Sequence, residues 1–296
     1  MSEAPEVGTI DYWCNAFLPD RRKLWDEAIA AQGIPLKVRR DPADSLAEPR
    51  EMLARMDELG IDTLLLPTAQ PPSDSDPLAY ERFATSPSEA TALVRDQPGR
   101  FASLWSLDPG AGQAGVTQAA EALARPGCVG LHLHTHSFDR AFDHRDLYPF
   151  YALAADTRVP VVMQAGASGG RMPSECGRPL GVDRPALYFP GLKFVLSHTG
   201  WPWVDEAFAM AQKHPNVSLG TAAYPPRHWS PELRAFIAGV GRGKTLFGTS
   251  FPVVGHRHAL GQLAELNLEA DARESLLEGT ARTLFTRLEA REGGRG

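Results

Sequence analysis

The run Gly130-Leu131-His132-Leu133-His134-Thr135-His136 carries three histidines at alternate positions. In an extended strand alternate side chains share a face, so Leu131 and Leu133 point one way and the histidines the other. Each imidazole brings ring nitrogens that need partners when removed from water, which makes simple packing a poor account of three together. Two chemistries suit them: holding a metal, or binding and protonating a ligand. His198, in Ser197-His198-Thr199-Gly200, ends another short apolar run. Alternation is read as turning it toward the same interior, together with Trp13, Asn15, Gln164 and Ser250.

Other unusual residues gather in comparable places. Eight of the nine histidines, namely His132, His134, His136, His144, His198, His228, His256 and His258, lie at the ends of apolar runs or in the segments after them, and His214 alone follows a helical pattern. Trp13, Trp105, Trp201, Trp203 and Trp229 fall in similar positions. Together they predict an aromatic-lined pocket for a flat, apolar or aromatic ligand. Arg171, Arg227 and Arg257 in the same segments could pair with an anionic end of that ligand.

Something must hold these segments side by side, and the hydropathy pattern shows what. Strands are predicted at Gly8 to Cys14, Ile61 to Leu66, Phe101 to Ser106, Val129 to His134, Val159 to Gln164, Phe194 to His198, Val217 to Thr221 and Lys244 to Thr249. Amphipathic helical patterns lie between them, at Arg50 to Leu59, Gly115 to Ala124, Tyr148 to Asp156, Val204 to Lys213 and Leu233 to Val240. Ser86-Pro87-Ser88-Glu89 reads as a capping box with proline at the first helical position, and Ser230-Pro231 repeats that placement. Eight strand-helix units predict a closed (β/α)8 barrel, a TIM barrel, whose chemistry sits where strands run into the following loops. An open doubly wound sheet is the competing arrangement, but no G-x-G-x-x-G or P-loop follows any strand. The expected domain is 1–286, with an insertion at about 18–47 containing a helix-like Arg21 to Gln32, a C-terminal helix, and a charged, glycine-rich tail at 287–296.

Composition narrows the partners. The 296 residues are 43% hydrophobic and 22% charged with a net charge of −6, and the charges are interspersed. No basic stripe of the kind a phosphate backbone requires is present, so nucleic acid is not expected. No apolar stretch approaches the ~18 residues of a membrane span, and the N-terminus lacks the pattern of a signal peptide. A cytoplasmic location is expected. The three cysteines, Cys14, Cys128 and Cys176, show no C-x-x-C spacing and imply neither a disulfide framework nor a thiolate zinc site.

The ordered motifs resemble the amidohydrolase superfamily, in the branch of aminocarboxymuconate-semialdehyde decarboxylase and related aromatic-acid decarboxylases and hydrolases. The resemblance runs through Ile10-Asp11, Met56-Asp57-Glu58-Leu59-Gly60-Ile61-Asp62, Gly130-Leu131-His132-Leu133-His134, Pro160-Val161-Val162, Ser197-His198-Thr199-Gly200, Phe247-Gly248-Thr249-Ser250-Phe251-Pro252 and Gly279-Thr280-Ala281-Arg282-Thr283-Leu284-Phe285. It implies a zinc site built from H-x-H on strand one, histidines on strands five and six, and an aspartate on strand eight. Here those positions hold Trp13 and Asn15, Gln164, His198 and Ser250, so only His198 is kept. The resemblance also implies a lysine where His132 stands.

Three functions are therefore expected in competition. The first is a metal-independent enzyme acting on a small aromatic or heteroaromatic carboxylate, ester, lactone or amide by acid–base hydrolysis, decarboxylation or ring-closing dehydration, as in a biosynthetic cyclase. Its catalytic residues would be His198, His134, His132 and Ser250, with Trp13, Asn15, Gln164, Trp105, His136, Trp201 and Arg227 binding substrate. The second places Zn2+ at a relocated His132/His134/His198 site, and the third is a non-catalytic small-molecule-binding protein. A homodimer is compatible with each.

Overall fold

A computed structural model of the chain describes residues 7–15, 17–33, 48–69 and 84–289. Residues 34–47 of the expected insertion and 290–296 of the expected tail lie outside the described residues.

Eight parallel strands follow one another in sequence order: β1 (Thr9–Asp11), β2 (Ile61–Pro67), β3 (Phe101–Ser106), β4 (Cys128–Leu133), β5 (Val161–Gln164), β6 (Phe194–Ser197), β7 (Val217–Gly220) and β8 (Thr245–Leu246). Backbone bonds from Tyr12 N to Phe247 O (3.1 Å) and from Ser250 N to Trp13 O (2.8 Å) join the last strand to the first. The architecture is the (β/α)8 barrel. The predicted β1 and β8 are trimmed at their ends, where the last residues leave the regular ladder to form the site, and β5 starts two residues later than expected and still ends at Gln164.

Helices cover the outside: α1 (Pro19–Gln32), α2 (Pro49–Leu59), α3 (Pro87–Asp96), α4 (Gly112–Leu123), α5 (Tyr148–Thr157), α6 (Asp183–Tyr188), α7 (Val204–Lys213), α8 (Pro231–Ala238) and α9 (His256–Glu265). The capping box forms as read, with Glu89 N–H donating to Ser86 Oγ (3.3 Å) and Ser86 N–H to the Glu89 carboxylate (2.7 Å). Ser230 caps α8 through Leu233 N–H (3.2 Å). A helical stretch, Ala270–Glu274, Ser275–Gly279 and Thr280–Leu284, is the last helical segment among the described residues.

Two apolar layers follow from strand alternation, with a register shift between β3 and β4 that turns Val129 inward although Leu131 faces out. Leu131 and Leu133 pack outward against the helices, while Ala102, Leu104, Val129, Val162 and Val195 fill the barrel interior. Ala281, Leu284 and Phe285 belong to the interior cluster too, so the C-terminal helical stretch packs against the barrel core.

Candidate active site

The site begins at Asp11, the last residue of β1 and wholly buried. Its carboxylate accepts from Trp13 N–H (3.0 Å), from the N–H and hydroxyl of Thr249, and from His256 Nε2 (3.1 Å). A buried carboxylate is costly without such partners. These four donors satisfy it and tie the end of β1 to the segment after β8 and to the first turn of α9.

Beyond that anchor the chain bends and sends Trp13 and Asn15 into the interior. The Trp13 indole N–H donates to Asn15 Oδ1 (2.9 Å), and Asn15 Nδ2 donates to Ser250 Oγ (2.9 Å) and Ser250 O (3.0 Å). All three residues are at least 97% buried. The indole meets His132 and His198 edge-on, with ring centroids 4.8 Å away in both cases.

This arrangement fits poorly with the zinc that the resemblance implies. An indole offers no lone pair, Asn15 turns its amide nitrogen to Ser250, and its oxygen receives the indole proton. Among the described residues no group of three or more His, Cys, Asp or Glu side chains is arranged to hold a metal ion. The relocated set meets the same obstacle, because the indole stands against both His132 and His198.

The histidine face lies opposite. His132, which is wholly buried, donates its Nδ1 proton to Thr68 O (3.3 Å). His134 Nδ1 pairs with Ser137 Oγ (2.5 Å), and His136 donates from Nε2 to Gly166 O (2.9 Å), leaving Nδ1 as a buried acceptor. The rings of His132, His134 and His136 are spaced 6.3 and 5.8 Å apart. Removal from water disfavours a charged imidazole. Burial first, and neighbouring histidines second, hold His134 well below its ordinary value, and burial brings His132 to about 4. Burial lowers His136 as well.

His198 reaches this group by an irregular route. In β6, Val195 points inward and Leu196 outward, so Ser197 points inward and a regular strand would aim His198 at the helices. Its backbone instead turns left-handed, at φ 62°, with Thr199 at 57° and Gly200 at 76°. Such a run in non-glycine residues is uncommon and concentrates at functional sites. The expectation that His198 faces the axis is met, though strand alternation is the wrong reason for it. Its Nδ1 is bonded to Ser197 Oγ (2.7 Å), while Nε2 makes no hydrogen bond among the described residues and the side chain is only half-buried. Burial, with His136 and His132 adding repulsion, brings its pKa down to about 3. Ser250, at φ 56°, is a second left-handed residue in the site.

The remaining expected site residues divide. Gln164 ends β5 and is 9% exposed. Trp105 faces away from the axis, packs with the outer layer and lies beneath Arg125, 5.6 Å from the guanidinium. The expectation that Trp105 lines the pocket is thereby corrected, since Leu104 takes the inward position on β3. Trp201 is 53% exposed at the rim, 6.4 Å from Tyr224. Arg227 is exposed on the β7–β8 side, beside a cavity of about 300 Å³ that His228, Val253 and His258 also line. Of the other arginines, Arg257 pairs with Glu58 at 2.6 Å.

The structure also brings in Asp11, His256, Tyr12 and Ser197, which sequence reasoning left without a role. Ile10-Asp11 reads in the sequence only as the opening of a strand. Tyr12 and Ser197 precede site residues by one position, and nothing in the spacing shows that they meet across 185 residues at 2.7 Å.

A closed barrel with polar residues converging at the ends of β1, β4, β5, β6 and β8 defines an enzyme-type α/β scaffold. The model of the family described as Amidohydrolase matches residues 10–287, and the chain belongs to that family. Comparison with curated proteins found no match. Among solved structures, an uncharacterized TIM-barrel protein from Bordetella bronchiseptica is 22% identical, covering 95% of this chain and 99% of that one, at a TM-score of 0.76. A 5-carboxyvanillate decarboxylase from Sphingomonas paucimobilis is 17% identical, over 95% and 99%, at 0.66. A 4-oxalomesaconate hydratase from Rhodopseudomonas palustris is 17% identical, over 95% and 96%, at 0.62.

Proposed function

We propose that this chain is a metal-independent enzyme of the amidohydrolase fold. It acts on a small aromatic or heteroaromatic carboxylate, ester, lactone or amide by hydrolysis, decarboxylation or ring-closing dehydration. The observation that carries the reading is His198: one ring nitrogen is anchored by Ser197 and the other is left to the mouth, in a site where Trp13, Asn15 and Ser250 bond to one another at the expected metal positions. Family membership and the likeness to a decarboxylase and a hydratase support lyase or hydrolase chemistry on a carboxylate.

Each residue has a role that needs no metal. The substrate ring lies near Trp13 and the histidine face, with an anionic group toward Arg227. His198 meets the oxygen on which negative charge develops, and His132 and His134 orient the substrate and stabilise that charge with Asn15, Gln164 and Ser250. A neutral histidine face suits this task, because an apolar aromatic body enters it without displacing bound counter-ions.

The test is turnover of a panel of small aromatic carboxylates, esters and lactones by the wild-type protein and by His198→Ala, which removes the donor. The reading expects at least one substrate whose kcat falls by roughly 10²–10³-fold in the variant, the usual effect of losing one charge-stabilising donor. Equal turnover by the two proteins contradicts it, and binding without turnover by the wild type favours the non-catalytic alternative.

A further inference from the structure

We propose that Tyr12, acting through Ser197, fixes His198 in the tautomer that carries its proton on Nε2, so that His198 works as a neutral hydrogen-bond donor and not as a base. The inference deepens the proposed function and rests on it only for the meaning of the donor, not for the tautomer.

The argument is an accounting of protons along one chain. Tyr12 Oη is wholly buried and lies 2.7 Å from Ser197 Oγ, which lies 2.7 Å from His198 Nδ1. Among the described residues the phenol oxygen has one side-chain hydrogen-bond partner, Ser197 Oγ, and this is the acceptor that the phenol proton reaches. A buried hydroxyl proton without an acceptor costs roughly 1–3 kcal/mol, so the Tyr12 proton points at Ser197. Ser197, having accepted it, has a single proton of its own to give. Its other partner is His198 Nδ1, which must be the acceptor, and a neutral ring then carries its proton on Nε2.

The barrel is shaped around this chain. A Cβ at Gly220 of β7 would strike Tyr12 Oη, and one at Gly248 after β8 would strike the ring. Two glycines, one ending β7 and one just after β8, thus clear the volume the phenol fills. The left-handed backbone at His198 completes the geometry by bringing its Nδ1 beside the hydroxyl of the preceding residue. Donating to the substrate through Nε2–H leaves the ring neutral throughout, and a neutral imidazole donor is an effective partner for a carbonyl or enolate oxygen. Ser197 and Tyr12 are positioning residues, since neither meets the substrate.

Long-range ¹H–¹⁵N correlation spectra of the histidine-labelled, substrate-free protein read the tautomer directly, with His198→Asn assigning the resonance. The wild type should show an unprotonated Nδ1 and a protonated Nε2. Ser197→Ala should convert this to a mixture of tautomers. Tyr12→Phe, which frees Ser197 to accept, should shift the population toward Nδ1–H. A protonated Nδ1 in the wild type, or a tautomer unchanged in folded Ser197→Ala protein, overturns the proposal. Because no substrate is present, failure of the proposed activity and failure of this inference are read separately.

Discussion

The Trp13 indole N–H donates to Asn15 Oδ1 at 2.9 Å, so the two strand-one positions that the resemblance assigns to metal ligands are bonded to each other. Asn15 passes the chain on to Ser250 at 2.9 Å, closing the strand-eight position as well. Restoring one ligand leaves the rest of this chain in place. Trp13→His should therefore bind zinc no more tightly than the wild type, measured by calorimetric titration, while weakening the binding of an aromatic ligand. Acquisition of stoichiometric tight zinc by the single variant would contradict the assignment.

Asp11 is the hub that holds this end of the barrel. It accepts from three residues in a wholly buried position, and His256, equally buried, stacks on Phe251 with ring centroids 4.5 Å apart. Removing the acceptor leaves buried donors without a partner, at roughly 1–3 kcal/mol for each one stranded. Asp11→Ala should lose about that much in urea unfolding, and Asp11→Asn, which keeps an acceptor oxygen, should lose less. Equal stability of Asp11→Ala and wild type would refute the hub.

The space around Tyr12 supplies another prediction. Gly220→Ala places a methyl group against the phenol oxygen in the close-packed interior. Overpacking of this kind costs roughly 1–3 kcal/mol. Combining it with Tyr12→Phe, which removes the obstructing oxygen, should recover part of the loss, measured as a double-mutant cycle in thermal unfolding. Strict additivity of the two changes would show that the glycine does not serve Tyr12.

The histidine face makes stability depend on pH in a defined window. His132 is brought from 6.5 to about 4 and His198 to about 3, so each stays neutral in the folded chain over a range where the unfolded chain is protonated. The unfolded state then binds more protons, and stability falls as pH drops below about 6.5, by about 1.4 kcal/mol per pH unit for each such histidine. Above neutrality these groups contribute no pH dependence. Urea midpoints should fall from about pH 7 to about pH 5, before carboxylates titrate, and the slope should be shallower in His132→Asn. A slope in His132→Asn equal to the wild type's contradicts the assignment.

What the sequence revealed follows from which signals are local. The alternation of Leu131 and Leu133 with His132 and His134 placed β4 correctly, because a parallel strand packed between helices and a filled interior leaves each side chain one face to occupy. Trp105 reads as a pocket residue by its position near a strand end, not by alternation, and its neighbour Leu104 takes the interior; for His198 alternation gives the right orientation for the wrong reason. Left-handed backbone at His198 and Ser250 leaves no mark in residue type, since neither is glycine. The Tyr12–Ser197 and Asp11–His256 pairs span 185 and 245 positions, and only closure of the barrel brings them together.

Metal content measured together with turnover tests the central claim most directly. The protein should carry far less than one zinc, iron or manganese per chain by elemental analysis, and exhaustive chelation should leave both its turnover of an aromatic substrate and its unfolding midpoint unchanged. One tightly held metal per chain, whose removal abolishes turnover and whose return restores it, would contradict the account.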